Sequence, residues 1–153
     1  LYKDGQYIDY IKCYNSIVTH IINPNSEKYI FDIFCHCWNE DLKDSLIKLY
    51  NPKKYLFENN SNYNDEIMKK ILNENEFGGV SQTLTIKKVI EIKEQYEIEY
   101  NINYDIIILY RYDVLLWKDI NLNNYNNLEN TIYVNAHHDC NEDFHFIMNN
   151  INS

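Results

Sequence analysis

Apolar and polar positions along most of this chain recur at helical or strand spacing, but five apolar residues run together at Ile106-Ile107-Ile108-Leu109-Tyr110. Tyr104 and Asp105 lead into the run, and Arg111-Tyr112-Asp113 ends it abruptly. A short β-branched run with no polar alternation predicts a strand buried on both faces, as in the middle of a parallel sheet. Before it, Tyr7, Tyr10, Ile11, Tyr14, Val18, Ile21 and Ile22 fall at helical spacing, and Asn23-Pro24-Asn25 is expected to end that helix. Residues 1–4 read as the remnant of a first strand, with Gly5 as a turn. Residues 29–38 are aromatic and β-branched and predict a strand.

A helix is expected over about 40–50, with Leu42, Leu46, Leu49 and Tyr50 as its apolar stripe. Asp41 and Asp44 suit its positive end, Lys48 its negative end, and Pro52 prevents its continuation. Residues 55–57 form a short strand that ends at Glu58. An Asn-rich loop follows at 59–64, then a short helix with Ile67, Met68, Ile71 and Leu72 on one face. Gly78-Gly79 predicts a turn. A long helix is expected from about 81 to 100, with Ile86, Val89, Ile92, Tyr96 and Tyr100 on its packed face. Lys87, Lys88, Glu91, Lys93, Glu94 and Glu97 make a solvated face. After the central strand come an apolar stretch at 114–117, an Asn-rich loop at 121–130 and a strand at 131–134. Strands that alternate with helices predict an α/β fold, a mostly parallel sheet flanked by helices, in a single domain over 1–153.

Composition adds bounds. With 153 residues, 45% apolar and 15% aromatic, the chain can build one packed core. A net charge of −9 and scattered lysines disfavour nucleic acid, which needs a basic patch. No apolar run is long enough for a membrane span, and the start has no signal-peptide pattern. Cys13, Cys35, Cys37 and Cys140 have no secreted-framework spacing, so reduced thiols and a cytoplasmic setting are expected. Cys35 and Cys37 should share one face of a strand, with His36 on the other. A zinc site from Cys35, Cys37, Cys140 and His137 or His138 is a lesser alternative, since structural zinc knuckles space paired ligands further apart. The chain opens at Leu1 without methionine, which leads to the expectation of a fragment.

Ligands of open α/β sheets bind just beyond the carboxyl ends of the strands. Arg111 and Asp113 stand where that rule places a site; an ordinary ion pair capping the strand is the other reading.

The order of segments resembles a family of small GT-A-type (Rossmann-like) glycosyltransferases of bacteria and large DNA viruses. The resemblance rests on Gly5-Gln6-Tyr7, His36-Cys37-Trp38, the stretch from Pro52 to Glu58, Thr85-Ile86-Lys87-Lys88, Tyr104 through Asp113, and Asn141 to Phe144. The Tyr-Asp-strand-Arg-x-Asp element is similar to a variant of the Asp-x-Asp sugar-nucleotide motif. It implies metal-assisted transfer from a UDP- or GDP-type sugar donor to a glycan or other hydroxyl acceptor. Gly5, Gln6, Tyr7, Glu58, Lys88 and Arg111 would then serve the donor, Asp113 would be the best carboxylate for a hard cation such as Mn2+ or Mg2+, Arg111 could instead hold that carboxylate or contact phosphate through its planar fork, and His137 would be a further ligand position. Asp143, with Glu142 next, would activate the acceptor hydroxyl. A location in the cytoplasm, of a host cell or otherwise, or in a virion is implied with it. Two positions depart from the family: Ile8 stands where an arginine is expected, and the last motif reads Asn-Glu-Asp-Phe. The missing arginine and an expected absence of the C-terminal half that completes the acceptor site favour an alternative, a non-catalytic nucleotide- or glycan-binding module of the same fold.

Overall fold

The structure, a computed structural model, describes residues 2–3, 6–7, 9–59, 61, 77–125, 127–134 and 145–149. In chain order its elements are β1 (Tyr2–Lys3), β2 (Gln6–Tyr7), α1 (Tyr10–Ile17), a π-helical turn (Val18–Ile22), α2 (Asn23–Asn25), β3 (Phe34–Cys37), α3 (Lys43–Tyr50), β4 (Lys54–Phe57), α4 (Phe77–Tyr100), β5 (Ile106–Tyr110), β6 (Tyr133–Val134) and β7 (His145–Asn149). Short 3₁₀ turns stand at Glu40–Leu42, Leu122–Asn124 and Leu128–Asn130. The described residues are mixed α/β, and among them no sheet closes into a barrel. They belong to two compact units, Leu1–Phe31 with Asn103–Ser153, and Asp32–Ile102.

In the first unit, Asp9 caps α1 by accepting from the N–H groups of Ile11 and Lys12 at 3.1 and 3.2 Å. The helical path ends with Asn23-Pro24-Asn25, as the breaker predicts, these three residues forming its last turn. Proline lacks the N–H that would bond the His20 carbonyl four residues back. That carbonyl accepts from the Ile120 N–H instead, at 2.8 Å. Asn25, 3% exposed, completes the seam. Its amide nitrogen donates to the carbonyls of Ile21 (2.6 Å) and Ile120 (2.7 Å), and its amide oxygen accepts from the Leu122 N–H (2.9 Å). Ser16 holds the same segment further back: its hydroxyl accepts from the Leu116 N–H at 2.6 Å and donates to the Leu116 carbonyl at 3.2 Å. Ile21, Ile120, Leu122 and Ile147 form the core of this unit, with Ile17, Ile106, Ile108, Tyr110 and Leu116 among the side chains packed against it.

β5, β7 and β6 make an antiparallel sheet in the order β5-β7-β6, with Ile106 opposite Asn149, Ile108 opposite Ile147 and Tyr133 also opposite Ile147. This corrects the expectation for 106–110. Among the described residues the strand has one neighbour, that neighbour runs antiparallel, and every β5 residue is half-buried rather than buried. An apolar run reports cover on two faces; it carries no information on the direction of the neighbouring strand. The fully buried position in the sheet is Ile147, on β7, a strand that the spacing of the last residues did not predict.

The second unit holds the parallel pair. β3 and β4 pair in parallel with His36 opposite Leu56 and Cys37 opposite Phe57, joined through α3. α3 ends at Asn51 in the left-handed region (φ 43°), just before Pro52, as the breaker predicts. α4 lies antiparallel to the pair: Tyr96 and Glu99 meet Phe34 and Lys54, whereas Thr85 and Lys88 meet Trp38 and Glu58. Two expectations for α4 change. Lys93 and Glu97, placed on the solvated face, are buried and paired at 3.2 Å, while Lys87 and Glu91 form the exposed pair the spacing suggests. The glycines at 78–79 lie inside the helix rather than in a turn. A Cβ on Gly79 would meet nothing within 4 Å. Gly79→Ala is therefore expected to raise folding stability by about 0.5–1 kcal/mol, read from urea midpoints, because alanine reduces the freedom of the unfolded chain and fits the helix. An unchanged or lower midpoint would contradict a helix at this position. The expected helix carrying Ile67, Met68, Ile71 and Leu72 lies outside the described residues.

Candidate functional site

β5 delivers Arg111 and Asp113 to the turn at its carboxyl end. Tyr110 steadies that turn by donating its hydroxyl to the Val114 carbonyl at 3.1 Å. The Arg111 guanidinium grips both oxygens of Asp113, Nε to Oδ1 at 2.9 Å and Nη2 to Oδ2 at 2.8 Å. The Asp113 side chain is 18% exposed. Two parallel N–H donors from one guanidinium fix the plane of the carboxylate. Two neutral groups register the carboxylate's charge. The Tyr110 hydroxyl is pushed above its ordinary pKa by burial first, then by Cys13 and Asp113. The Cys13 thiol is pushed up by burial first, then by Asp113 and Asp9. Both stay protonated near neutrality and add no negative charge of their own.

A second cluster lies in the unit of residues 32–102, at the carboxyl ends of β3 and β4. The parallel ladder extends one step beyond β4, where the Glu58 N–H donates to the Cys37 carbonyl at 3.0 Å, and this fixes the Glu58 backbone. Alternation along the pair puts His36, Trp38 and Glu58 on the face toward α4. Glu58 Oε1 takes His36 Nε2 at 3.0 Å and Lys88 Nζ at 2.8 Å. The Trp38 indole N–H donates to Thr85 Oγ1 at 2.6 Å, its ring meets the edge of His36 at 4.6 Å, and Lys88 Nζ stands 5.8 Å from its centre. The His36 side chain is 0% exposed and its Nδ1 has no hydrogen-bond partner among the described residues. The neutral tautomer with its proton on Nε2 satisfies this arrangement.

Burial lowers the His36 pKa below its ordinary 6.5; the hydrogen bond and charge of Glu58 oppose this, and Lys88 adds to it. Between the lowered folded value and the unfolded one near 6.5, the unfolded chain binds more protons, so stability rises with pH. The contribution is present in full above the unfolded value and gone once pH falls through the folded one. His36→Gln keeps an N–H donor for Glu58 but cannot titrate. Urea midpoints measured from pH 7.5 down to 5 should therefore fall more steeply for the wild type than for His36→Gln; parallel curves would contradict a neutral buried His36.

Cys35 and Cys37 occupy the opposite face of β3, as their spacing predicts. Cys35 is pushed up to about 12 by burial first and by Cys37 second, so it is a thiol rather than a thiolate. Cys13, Cys35 and Cys37 are free, and Cys140 lies outside the described residues. Among the described residues no three His, Cys, Asp or Glu side chains gather as a metal site. The zinc alternative needs His137 or His138 and Cys140, which lie outside them.

The structure thus brings Arg111 to Asp113, and Glu58 to Lys88. Gln6 and Tyr7 form β2, which pairs antiparallel with β1. Gly5, His137, Glu142 and Asp143 lie outside the described residues. The spacing argument missed the polar seam of Ser16, His20 and Asn25; the only available signal was that Ser16 and His20, four apart, share a helix face. His20 Nδ1 pairs with Asp119 Oδ1 at 2.7 Å on that seam. Among the described residues no helix is long and apolar enough to cross a membrane. Compared with known proteins, the chain matches no family model, no curated protein and no solved structure.

Proposed function

We propose that this chain is the nucleotide-sugar domain of a cytoplasmic, metal-assisted glycosyltransferase of GT-A type, passing a sugar from a UDP- or GDP-type donor to a glycan acceptor. The observation that carries the proposal is the Arg111–Asp113 fork, the bidentate pair at the end of the Tyr-Asp-strand-Arg-x-Asp element. Sugar transfer leaves a diphosphate, whose charge a hard cation can neutralise. Magnesium-type ions are commonly held by one or two carboxylates together with substrate phosphates and water, so a single oriented aspartate fits such a group. Asp113 would hold the cation, and Arg111 holds its carboxylate in one orientation. Tyr110 and Cys13, both neutral, add no negative charge beside it. Glu142 and Asp143 remain the residues proposed for acceptor activation. Free Cys13, Cys35 and Cys37 suit a reducing compartment.

The same fork, with both oxygens already engaged, also suits the second reading, a non-catalytic binding module in which Arg111 and Asp113 are a structural clasp. Thermal shift of the wild type with UDP- and GDP-sugars, with and without Mn2+, tests the proposal, since a ligand of the folded state raises apparent stability by mass action. A Mn2+-dependent rise with at least one donor is expected, together with release of UDP or GDP. Binding without any turnover favours the module; no shift with any donor contradicts the glycosyltransferase reading and leaves of the module only glycan binding.

A further inference from the structure

We propose that Trp117 is the platform on which an acceptor sugar stacks; this rests on the glycosyltransferase reading and names the substrate surface of the same unit. Trp117 is 87% exposed. Among the described residues no ring, ion pair or hydrogen bond engages its indole. Such a ring at the tip of a loose loop would mean little. Its backbone, however, is tied on both sides. Leu116, immediately before it, has its N–H and carbonyl both bonded to the Ser16 hydroxyl. Past Lys118, Asp119 meets His20 at 2.7 Å and the Ile120 N–H meets the His20 carbonyl at 2.8 Å. Ser16 is buried, and Leu116 and Ile120 pack in the core of the unit. The fold therefore holds a large apolar ring in water on a braced segment, four residues after Asp113. Four residues span at most about 14 Å even when fully extended, within reach of a substrate that meets the donor at Asp113.

The chemistry of the ring selects the occupant. Mononucleotides and other small ligands are taken into concave pockets that bury most of their surface. A ring this exposed walls no pocket. It suits a ligand that lies along a surface and keeps much of itself in water. A glycan chain does so: the axial C–H groups on one face of a pyranose are apolar, pack flat on an aromatic ring, and leave the hydroxyl rim hydrated. Tryptophan offers the largest rigid face for that contact at little cost in rotamer freedom.

The test uses wild type, Trp117→Ala and Trp117→Phe, with mannotriose, chitotriose and maltotriose as probes in fluorescence titrations, and UDP and GDP with Mn2+ in calorimetry. At least one trisaccharide should change the emission saturably in the wild type. By calorimetry its affinity should fall about tenfold or more in Trp117→Ala and hold within about threefold in Trp117→Phe, which keeps a stacking face. Nucleotide affinity and melting temperature should be unchanged in both variants. Equal trisaccharide affinity in wild type and Trp117→Ala overturns the assignment. So does a wild type that binds nucleotide but none of the three sugars. Trisaccharide binding that needs Trp117 without any nucleotide binding sustains the platform and removes the donor reading; absence of both overturns both.

Discussion

Asn25→Ala is expected to lower folding stability by about 4 kcal/mol, a large share of what a domain of this size possesses. The side chain is 3% exposed and makes three hydrogen bonds, to the Ile21 and Ile120 carbonyls and from the Leu122 N–H. Truncation strands all three backbone groups where water reaches them poorly, at roughly 1–3 kcal/mol each, and leaves a small cavity besides. The orientation of the amide is settled by its partners, because two carbonyls can only face the NH₂ and the N–H only the oxygen. That supplies a control of nearly equal volume. Asn25→Asp keeps the acceptor for Leu122 but turns an oxygen toward two carbonyls, so it should cost at least as much as alanine. Urea unfolding of the three proteins decides the matter. If Asn25→Asp kept wild-type stability, the network would be wrong; if both variants lost under about 1 kcal/mol, this seam would not brace residues 116–122.

How much of this was legible in the residues can be followed element by element. The strands at 34–37, 54–57 and 106–110 fall inside β-branched or aromatic runs, and α3 lies between acidic residues and Pro52, so local pattern and tertiary structure agree there. The alternation that puts Cys35 and Cys37 opposite His36 held because strand period depends on the backbone alone. What escaped depended on partners remote in sequence. The sense of β5 is decided by β7, almost forty residues on, whose short run at 145–149 carries no turn signal of its own. Asn23-Pro24-Asn25 does end the helical path, but the partner of the carbonyl that Pro24 frees, the Ile120 N–H, lies almost a hundred residues on and is not legible there. The charged stripe of α4 looked uniformly solvated, yet Lys93 and Glu97 sit an i,i+4 step apart and can neutralise one another on burial. Glu58 and Lys88 stand out in the sequence only through a resemblance; that Glu58 also holds His36 depends on the parallel register of β3 and β4.

Asp113→Asn carries the second large effect. Both readings of the fork allow some loss of stability, because Arg111 loses a charged partner, and at this partial exposure that loss should be about 1 kcal/mol or less. Melting temperature therefore separates the readings poorly. Affinity separates them well. Asparagine nearly matches aspartate in volume and still offers Arg111 one oxygen, but it removes the negative charge that a hard cation needs. If Asp113 holds the cation that bridges the donor diphosphate, metal-dependent nucleotide binding should weaken at least about a hundredfold, more than the loss usual for a group that only orients a ligand. Binding without metal, where it exists, should scarcely change.

The measurement that bears most directly on the proposed function is calorimetric titration of UDP and GDP, in the presence of Mn2+, into wild type and Asp113→Asn. Saturable, Mn2+-dependent binding to the wild type and its near loss in the variant is the result expected. Equal affinities in the two proteins would contradict the metal assignment, reduce the Arg111–Asp113 fork to a clasp at the end of β5, and leave sugar transfer at this site without its principal support.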